Sequence, residues 1–292
     1  MTLFWKNNQG LTFEKIIKID NQYLFTIEQK IKNSSDKIYS FYPYAQIIRT
    51  KIPEIIDFFI LHEGPLGVLD DQLIEKDYKD ILDKKYSKNA NNGFLGITDK
   101  YWLTSIIPQK NKKFRADFEY NKKFKVNYIE TDSYEAKPNA QISNIVNVVV
   151  AAKEVNVIDG YNESLGLKKF DLVIDWGWFY WIVKPLFFLN DYFFKLAGNY
   201  GIAIILITVC LRLAFFPLNN YAFKSMSRMK LVQPEMARLK EIHKDDKMKL
   251  QQAMMQLYKK EGINPVSGCL PILISIPFFF AIYKMLFVTI EM

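Results

Sequence analysis

The sequence predicts a chain of two parts, an antiparallel β-sandwich domain followed by an α-helical membrane part. Charged residues and residues typical of strands fill residues 1–175, whereas apolar residues are concentrated in 176–292. Within the second part, two apolar runs at 200–218 and 265–290 are long enough to cross the hydrocarbon core of a membrane as helices. A polar, basic segment at 220–263 separates them.

Alternation of apolar and polar residues predicts the β-sandwich over residues 1–175. It is clearest at 23–31, with 11–19 as a partner strand and Asp20-Asn21-Gln22 as the turn between them. A second alternation at 123–128 predicts a half-buried strand, and the continuous apolar run at 145–151 predicts a more buried one. Residues 70–85 are more helix-like and are expected to pack on one edge.

Residues 176–198 combine aromatic and polar side chains, which predicts an amphipathic helix lying on the membrane surface. The aromatic residues are Trp176, Trp178, Tyr180 and Trp181. The charged residues Lys184, Asp191 and Lys195 recur at steps of seven and four, so they form one narrow polar stripe. A spanning helix with polar spots is the alternative.

The two spanning helices are predicted at 200–219 and 265–290. Pro217 and Asn219-Asn220 end the first apolar run, and Pro271 and Pro277 predict bends in the second.

The segment 220–263 carries ten Lys and Arg residues against five Asp and Glu residues, and short loops with such an excess remain in the cytoplasm. Residues 1–199 are then outside, in the periplasm of a Gram-negative cell. Apolar residues at steps of three and four predict that 220–263 forms two antiparallel helices, with a break at 243–246. Gly262 and Pro265 are predicted to close the second helix.

Several classes of protein are disfavoured by what the sequence lacks. Cys210 and Cys269 each lie in an apolar stretch, so a structural disulfide is not expected, and neither His62 nor His243 has neighbours at metal-ligand spacing. No Ser/His/Asp arrangement, pair of catalytic carboxylates or glycine-rich loop is readable, so we expect neither an enzyme nor a cofactor. No signal peptide opens the sequence, and we therefore expect it to be a fragment of a longer chain.

Arg212 is the strongest candidate for a functional residue. A charged side chain at the centre of a membrane costs at least about 2.5–3.5 kcal/mol. Arg212 could reach the cytoplasmic headgroups by snorkelling, or it could face a water-filled cavity between helices. Thr208 lies one turn earlier on the same face, and Ser275 on the second span is a weaker candidate for that cavity.

The basic segment contains six of the nine methionines, and flexible thioethers suit a surface that accepts varied apolar partners. Filling the seam of the helical hairpin is the alternative role. The candidate contacts are Met226, Met229, Arg228, Met236, Met254 and Met255, and Met248 completes the six methionines. The basic residues could contact anionic lipids or ribosomal RNA, but a solvated loop explains them equally well.

The run from Leu172 to Ile290 resembles the YidC membrane protein insertases, the bacterial branch of the Oxa insertase superfamily. The resemblance over residues 1–171 is looser and rests on position and on segments such as 93–108. The residues that carry it are Val173–Trp178, Gly198–Gly201, Arg212, Phe216–Leu218, Ser225–Met229, Gln233-Pro234, Met255–Lys259, Asn264-Pro265, Gly268–Pro271 and Ile276-Pro277.

The resemblance implies an insertase and chaperone of the bacterial inner membrane that acts alone or with the Sec translocon. Its partners would be nascent membrane proteins, the translocon, the ribosome and anionic lipids, with no DNA. It also implies that Arg212 lies in a hydrophilic groove built by five spans, of which two are present here. Two other classes remain open, a membrane-anchored periplasmic sugar-binding domain and a channel or transporter subunit in which Arg212 selects anions.

Overall fold

The computed structural model describes residues 1–53, 61–244, 246–262 and 270–292. These residues form two compact units: Met1–Gly177 together with Phe287–Met292, and Trp178–Leu286.

The first unit is built mainly of antiparallel strands. They are β1 (Thr2–Lys6), β2 (Leu11–Ile19), β3 (Leu24–Asn33), β4 (Tyr39–Phe41), β5 (Tyr44–Arg49), β6 (Gly64–Leu69), β7 (Gln72–Glu75), β8 (Tyr86–Ala90), β9 (Gly93–Thr98), β10 (Trp102–Ile107), β11 (Phe114–Tyr120), β12 (Phe124–Glu130), β13 (Tyr134–Ala136) and β14 (Gln141–Ala152). Helices α1 (Tyr78–Asp83) and α2 (Val155–Ser164) and a 3₁₀ turn at Phe170–Val173 accompany them.

The strands form an eight-stranded sheet in the order β1-β2-β3-β14-β10-β9-β6-β7 and a four-stranded sheet in the order β5-β12-β11-β8. Strands β4 and β13 pair separately. The core includes Phe118 and Tyr128 of the smaller sheet and Leu95 and Ile106 of the larger one, all of them buried. The predicted fold class, an antiparallel β-sandwich followed by a helical membrane part, is confirmed.

The predicted hairpin of β2 and β3 is present, and its turn explains the register. The Asp20 carboxylate accepts hydrogen bonds from the backbone N–H groups of Gln22 and Leu24, each at 2.8 Å, and so closes the turn. Tyr23 was predicted to start the strand, but it lies in the turn with a positive φ of 70°.

Residues 70–85 are helical only at Tyr78–Asp83, so the prediction of a helix-like stretch is largely wrong. Gln72–Glu75 pairs with β6 as strand β7. Asp70 and Asp71 connect the two strands with φ values of 51° and 65°, the two positive values that a tight type I′ hairpin turn needs. Because aspartate tolerates this conformation, the turn forms without glycine.

Two strands differ in burial from the predictions. Strand β12 was expected to be half-buried, but Asn127 and Glu130 are also buried, since β12 lies between β5 and β11. Strand β14 was expected to be more buried, but Ile145 and Val150 remain 38% and 44% exposed. These two residues are five positions apart and so point to opposite faces of the sheet, which means that each face of β14 is open over part of its length. A continuous apolar run does not reveal this in its pattern.

The second unit is helical. Its helices are α3 (Tyr180–Ala197), α4 (Tyr200–Leu231), α5 (Gln233–Ile242), α6 (Lys247–Lys260) and α7, which begins at Leu270 and ends at Val288. By length and composition α4 and α7 are long and apolar enough to cross a membrane. The predicted start of the second span at 265–269, including Cys269, lies outside the described residues, as does Pro265.

Two features of residues 176–231 correct the sequence-based interpretation. Trp176 is only 2% exposed and its indole N–H donates to the Asp171 carbonyl at 3.1 Å, so it is a core residue of the first unit rather than an interfacial aromatic. The apolar run of α4 ends near Pro217, but the helix continues to Leu231. Proline removes a single backbone N–H donor, and the hydrogen bonds of the turns on either side are enough to continue the helix through Pro217.

The buried carboxylate of Asp117 links β11 to β8 and provides a test of the sandwich. It accepts hydrogen bonds from the Ser87 hydroxyl at 2.6 Å and the Lys85 ammonium at 2.9 Å. Burial by itself raises the pKa of Asp117, but these hydrogen bonds outweigh it and hold the pKa below its ordinary value. Its stabilising effect is therefore fully present above the ordinary aspartate pKa of about 3.9 and is lost as the pH falls through the lower folded-state value.

We predict that Asp117→Asn lowers the free energy of unfolding of the β domain by about 1–3 kcal/mol at pH 7, because a charge-assisted network is lost. The difference from wild type shrinks as the pH falls below about 4. Chemical unfolding followed by circular dichroism measures both, with Asp36→Asn at an exposed loop position as the control. A difference independent of pH would contradict this assignment.

Candidate functional site

Helix α4 presents one side to α3 and leaves the other open. Ala203, Ile207 and Ala222 are buried, at spacings that keep them on one side of the helix. At the corner between the helices, the rings of Phe194 and Tyr200 stack with centroids 3.8 Å apart. The open side of α4 carries Thr208 and Arg212.

Arg212 is exposed on the open side of α4, one turn after the exposed Thr208. Within the described part of the chain, no acidic side chain forms an ion pair with Arg212. The Thr208 hydroxyl donates to the Ile204 carbonyl at 2.7 Å, so its proton is used within the helix. The guanidinium is therefore a cation whose hydrogen-bond donors are available to a ligand or to water.

Ser275 lies on α7, and its hydroxyl donates to the Pro271 carbonyl at 2.6 Å. Helices α4 and α7 meet where Phe215 and Phe278 pack edge to face, with ring centroids 5.0 Å apart. Arg212 precedes Phe215 by three residues and Ser275 precedes Phe278 by three. Because the two spans are predicted to cross the membrane in opposite directions, we expect Arg212 and Ser275 on opposite sides of the phenylalanine pair, about 9 Å apart along the helices.

Arg212 and Thr208 share a face of α4. On the predicted topology, Ser275 is expected at a different level on α7, so the three residues would line a groove and would not form one compact cluster. No group of three or more His, Cys, Asp or Glu side chains that could hold a metal ion is found in the described part of the chain.

The predicted contact residues lie at the end of α4 and in the hairpin helices α5 and α6, and they fall into two sets. Val232 and Leu257 are buried, and the Tyr258 hydroxyl lies 3.9 Å from the Met236 sulfur across the seam. The half-buried residues are Met229, Met236 and Met254, and the exposed ones are Met226, Arg228, Met248 and Met255. Part of the methionine set therefore fills the seam, and part is available at the surface.

Sequence reasoning placed Asp191 of α3 in a polar stripe with Lys195 but did not predict that the carboxylate is buried. The side chain is buried and pairs with Lys195 one turn later at 2.7 Å, and the neighbouring Asn190 is also buried. The spacing of an acid and a lysine four residues apart is the signal that could have identified this pair.

The β domain has an open groove of about 440 Å³ beside β1. Its walls are largely aromatic and include Trp5, Phe13, Phe41 and Tyr134. Among the described residues that line the groove, Glu14 is the single carboxylate, so they provide no pair of carboxylates for acid and base chemistry.

Two family models match the chain. Residues 1–189 match the YidC periplasmic domain, and residues 192–292 match the 60 kDa inner membrane protein family. One curated relative, the membrane protein insertase YidC of Pelagibacter ubique strain HTCC1062, is 64% identical over 290 residues, which are 99% of this chain and 52% of that protein.

The YidC insertases of Nitrobacter hamburgensis and Rickettsia prowazekii are 46% and 44% identical to this chain over its whole length. The matched regions make up 50% and 53% of those two proteins. The chain thus spans about half the length of the curated relatives it matches. Among solved structures, a galactose mutarotase related enzyme from Lactobacillus acidophilus is 10% identical with a TM-score of 0.38, covering 51% of this chain and 67% of that one. That likeness is too weak to support a conclusion.

The division of the hairpin residues gives a test. Leu257→Ala removes a buried side chain from the seam, so we expect about 2 kcal/mol of destabilisation and roughly 30-fold faster amide hydrogen exchange in α5 and α6. Met255→Ala, at an exposed neighbour on the same helix, should change exchange less than twofold. Equal acceleration by both variants would show that the seam is placed wrongly.

Proposed function

This chain belongs to the YidC family, and we propose that the protein inserts nascent membrane proteins into the bacterial inner membrane and assists their folding. Insertion of this kind needs no ATP or metal, because burial of the substrate's apolar helix supplies the driving force. The proposal concerns the whole protein, of which the described helices α4 and α7 are two spans.

The predictions that depend on the family alone are confirmed. The family is an inner membrane family with a periplasmic domain, so the predicted location in the inner membrane is confirmed. The placement of residues 1–199 in the periplasm and of 220–263 in the cytoplasm is our proposal, and the excess of lysine and arginine in 220–263 supports it. The prediction that the protein is not an enzyme is confirmed because the relatives are named as insertases.

The observation that carries the proposal is the exposed guanidinium of Arg212 within the otherwise apolar run 200–218 of α4. Arg212 lies six residues before Leu218, about 9 Å from the cytoplasmic end of the apolar run. A cation at that depth attracts an acidic segment of a substrate, and a wet groove around it shortens the apolar path that the segment must cross.

Thr208 and Ser275 contribute to the proposed groove as hydrogen-bond acceptors. Each hydroxyl donates its proton to its own helix, but its oxygen still has lone pairs that can accept hydrogen bonds from water or from substrate. Their different levels on α4 and α7 extend the polar lining along the membrane normal.

The cytoplasmic hairpin is the proposed contact surface for incoming partners. Met226 and Met255 expose flexible thioethers suited to varied apolar segments, and Arg228 adds a cation beside them. Nascent chains, the ribosome and anionic lipid headgroups are the partners this surface fits, and the Sec translocon is a further proposed partner of the whole protein.

We predict that Arg212→Ala in the full-length protein lowers insertion of substrates with acidic translocated tails by at least tenfold, on the order of 1.4 kcal/mol or more of lost attraction. Arg212→Lys, which keeps a cation, should retain most of that insertion, and substrates with neutral tails should be little affected. Insertion is measured by protease protection in cells depleted of the native protein. Wild-type insertion of acidic tails by Arg212→Ala would exclude charge capture.

A further inference from the structure

The last described residues of the chain return to the β domain. Phe287–Met292, which include the end of α7, belong to the same compact unit as Met1–Gly177. Val288 and Thr289 are each only 1% exposed, so this short segment is packed rather than free in solvent. Two contacts between Phe287–Met292 and the β domain show how the segment is bound.

One contact is at the N-terminus of α2, a helix without a cap of its own. Glu154 occupies the N-cap position, but its side chain makes no capping hydrogen bond, and the first turn of α2 contains no acidic residue. Instead, the backbone N–H of Val155 donates to the Glu291 carboxylate at 2.6 Å, from a residue 136 positions further along the chain. A carboxylate there satisfies an N–H group that the helix cannot satisfy and also interacts favourably with the helix dipole.

Helix α2 is itself fixed to the sandwich. Val155 and Ile158 are fully buried, and the Tyr161 hydroxyl donates to the Asp20 carboxylate at 2.8 Å, in the turn between β2 and β3. A residue bound to the start of α2 is therefore bound to a rigid part of the β domain.

The second contact joins the other end of the segment to the turn between β9 and β10. The Lys100 ammonium lies 4.1 Å from the centre of the Phe287 ring, a cation–π contact. The backbone N–H of Lys100 donates to Glu63 at 3.0 Å, which holds this turn in place. Two independent contacts thus attach Phe287–Met292 to the domain.

We propose that Phe287–Met292 is a latch that ties the outer end of the second spanning helix to the periplasmic β domain, with Glu291 as its positioning residue. The periplasmic domain then acts as a fixed anchor for a span of the insertase. This last step rests on the proposed function, whereas the latch itself does not.

The latch is tested by cross-linking in the full-length protein with Cys210→Ser and Cys269→Ser. Glu154→Cys with Glu291→Cys places thiols at the two sides of the capping contact, and we expect a disulfide to form in the oxidising periplasm. The matched control pair is Glu163→Cys with Glu291→Cys. Glu163 lies nine residues after Glu154, about 13 Å further along α2, and should not cross-link. Equal yields from the two pairs, or no disulfide in the first, would overturn the latch.

The positioning role is tested by insertion in proteoliposomes. Glu291→Ala removes the cap and should shift the latch roughly tenfold toward release, with a matching loss of insertion, whereas Glu291→Gln, which can still accept the hydrogen bond, should lose less. The protein with the Glu154–Glu291 cysteine pair should insert normally when oxidised, because the disulfide replaces the capping hydrogen bond. After reduction it has neither the disulfide nor the cap and should insert poorly.

Wild-type insertion by Glu291→Ala, or no effect of reducing the disulfide, would overturn the positioning role. A wild-type protein that inserts nothing would contradict the proposed function instead, while the cross-linking result would still decide the latch.

Discussion

A guanidinium in hydrocarbon is stable only where water, headgroups or a counter-charge can reach it, and this constraint governs the helical part of the protein. Arg212 is held on the open side of α4, away from Ala203 and Ile207, which pack inward. Its position near the cytoplasmic half of the apolar run keeps water within reach. The helix therefore carries a cation, which in the proposed function attracts an acidic segment of the substrate.

The β domain treats charge differently, because its carboxylates are buried or half-buried in contact with hydrogen-bond donors. Asp117 is bound by Ser87 and Lys85 between two strands, and Arg49 forms a bidentate pair with Asp99, one bond of which is 2.6 Å. Such contacts join neighbouring strands and the two sheets through polar groups as well as through the apolar core. They give the domain the rigidity that an anchor for a membrane helix requires.

The parts of the fold that follow from local rules could be predicted from the sequence. The β2–β3 hairpin followed from alternation and an Asp-Asn-Gln turn, and the half-buried positions of α5 and α6 followed from the spacing of their apolar residues. The strand β7 was missed because its turn uses two aspartates where glycine or asparagine is the usual signal. The burial of Asp191 was not predicted, because a charged residue is usually solvent-exposed. Here the ion pair with Lys195, one turn later, compensates for the cost of burying the carboxylate.

By itself, the sequence determined the division into a β part and a membrane part, the direction in which the spans cross and the position of Arg212 in α4, since each depends on hydropathy and charge along the chain. It could not determine that α4 continues to Leu231, because flanking turns decide whether a proline ends a helix. Nor could it show that Glu291 caps α2, 136 residues away. Contacts between distant residues exist only once the chain is folded, so only the tertiary structure decided them.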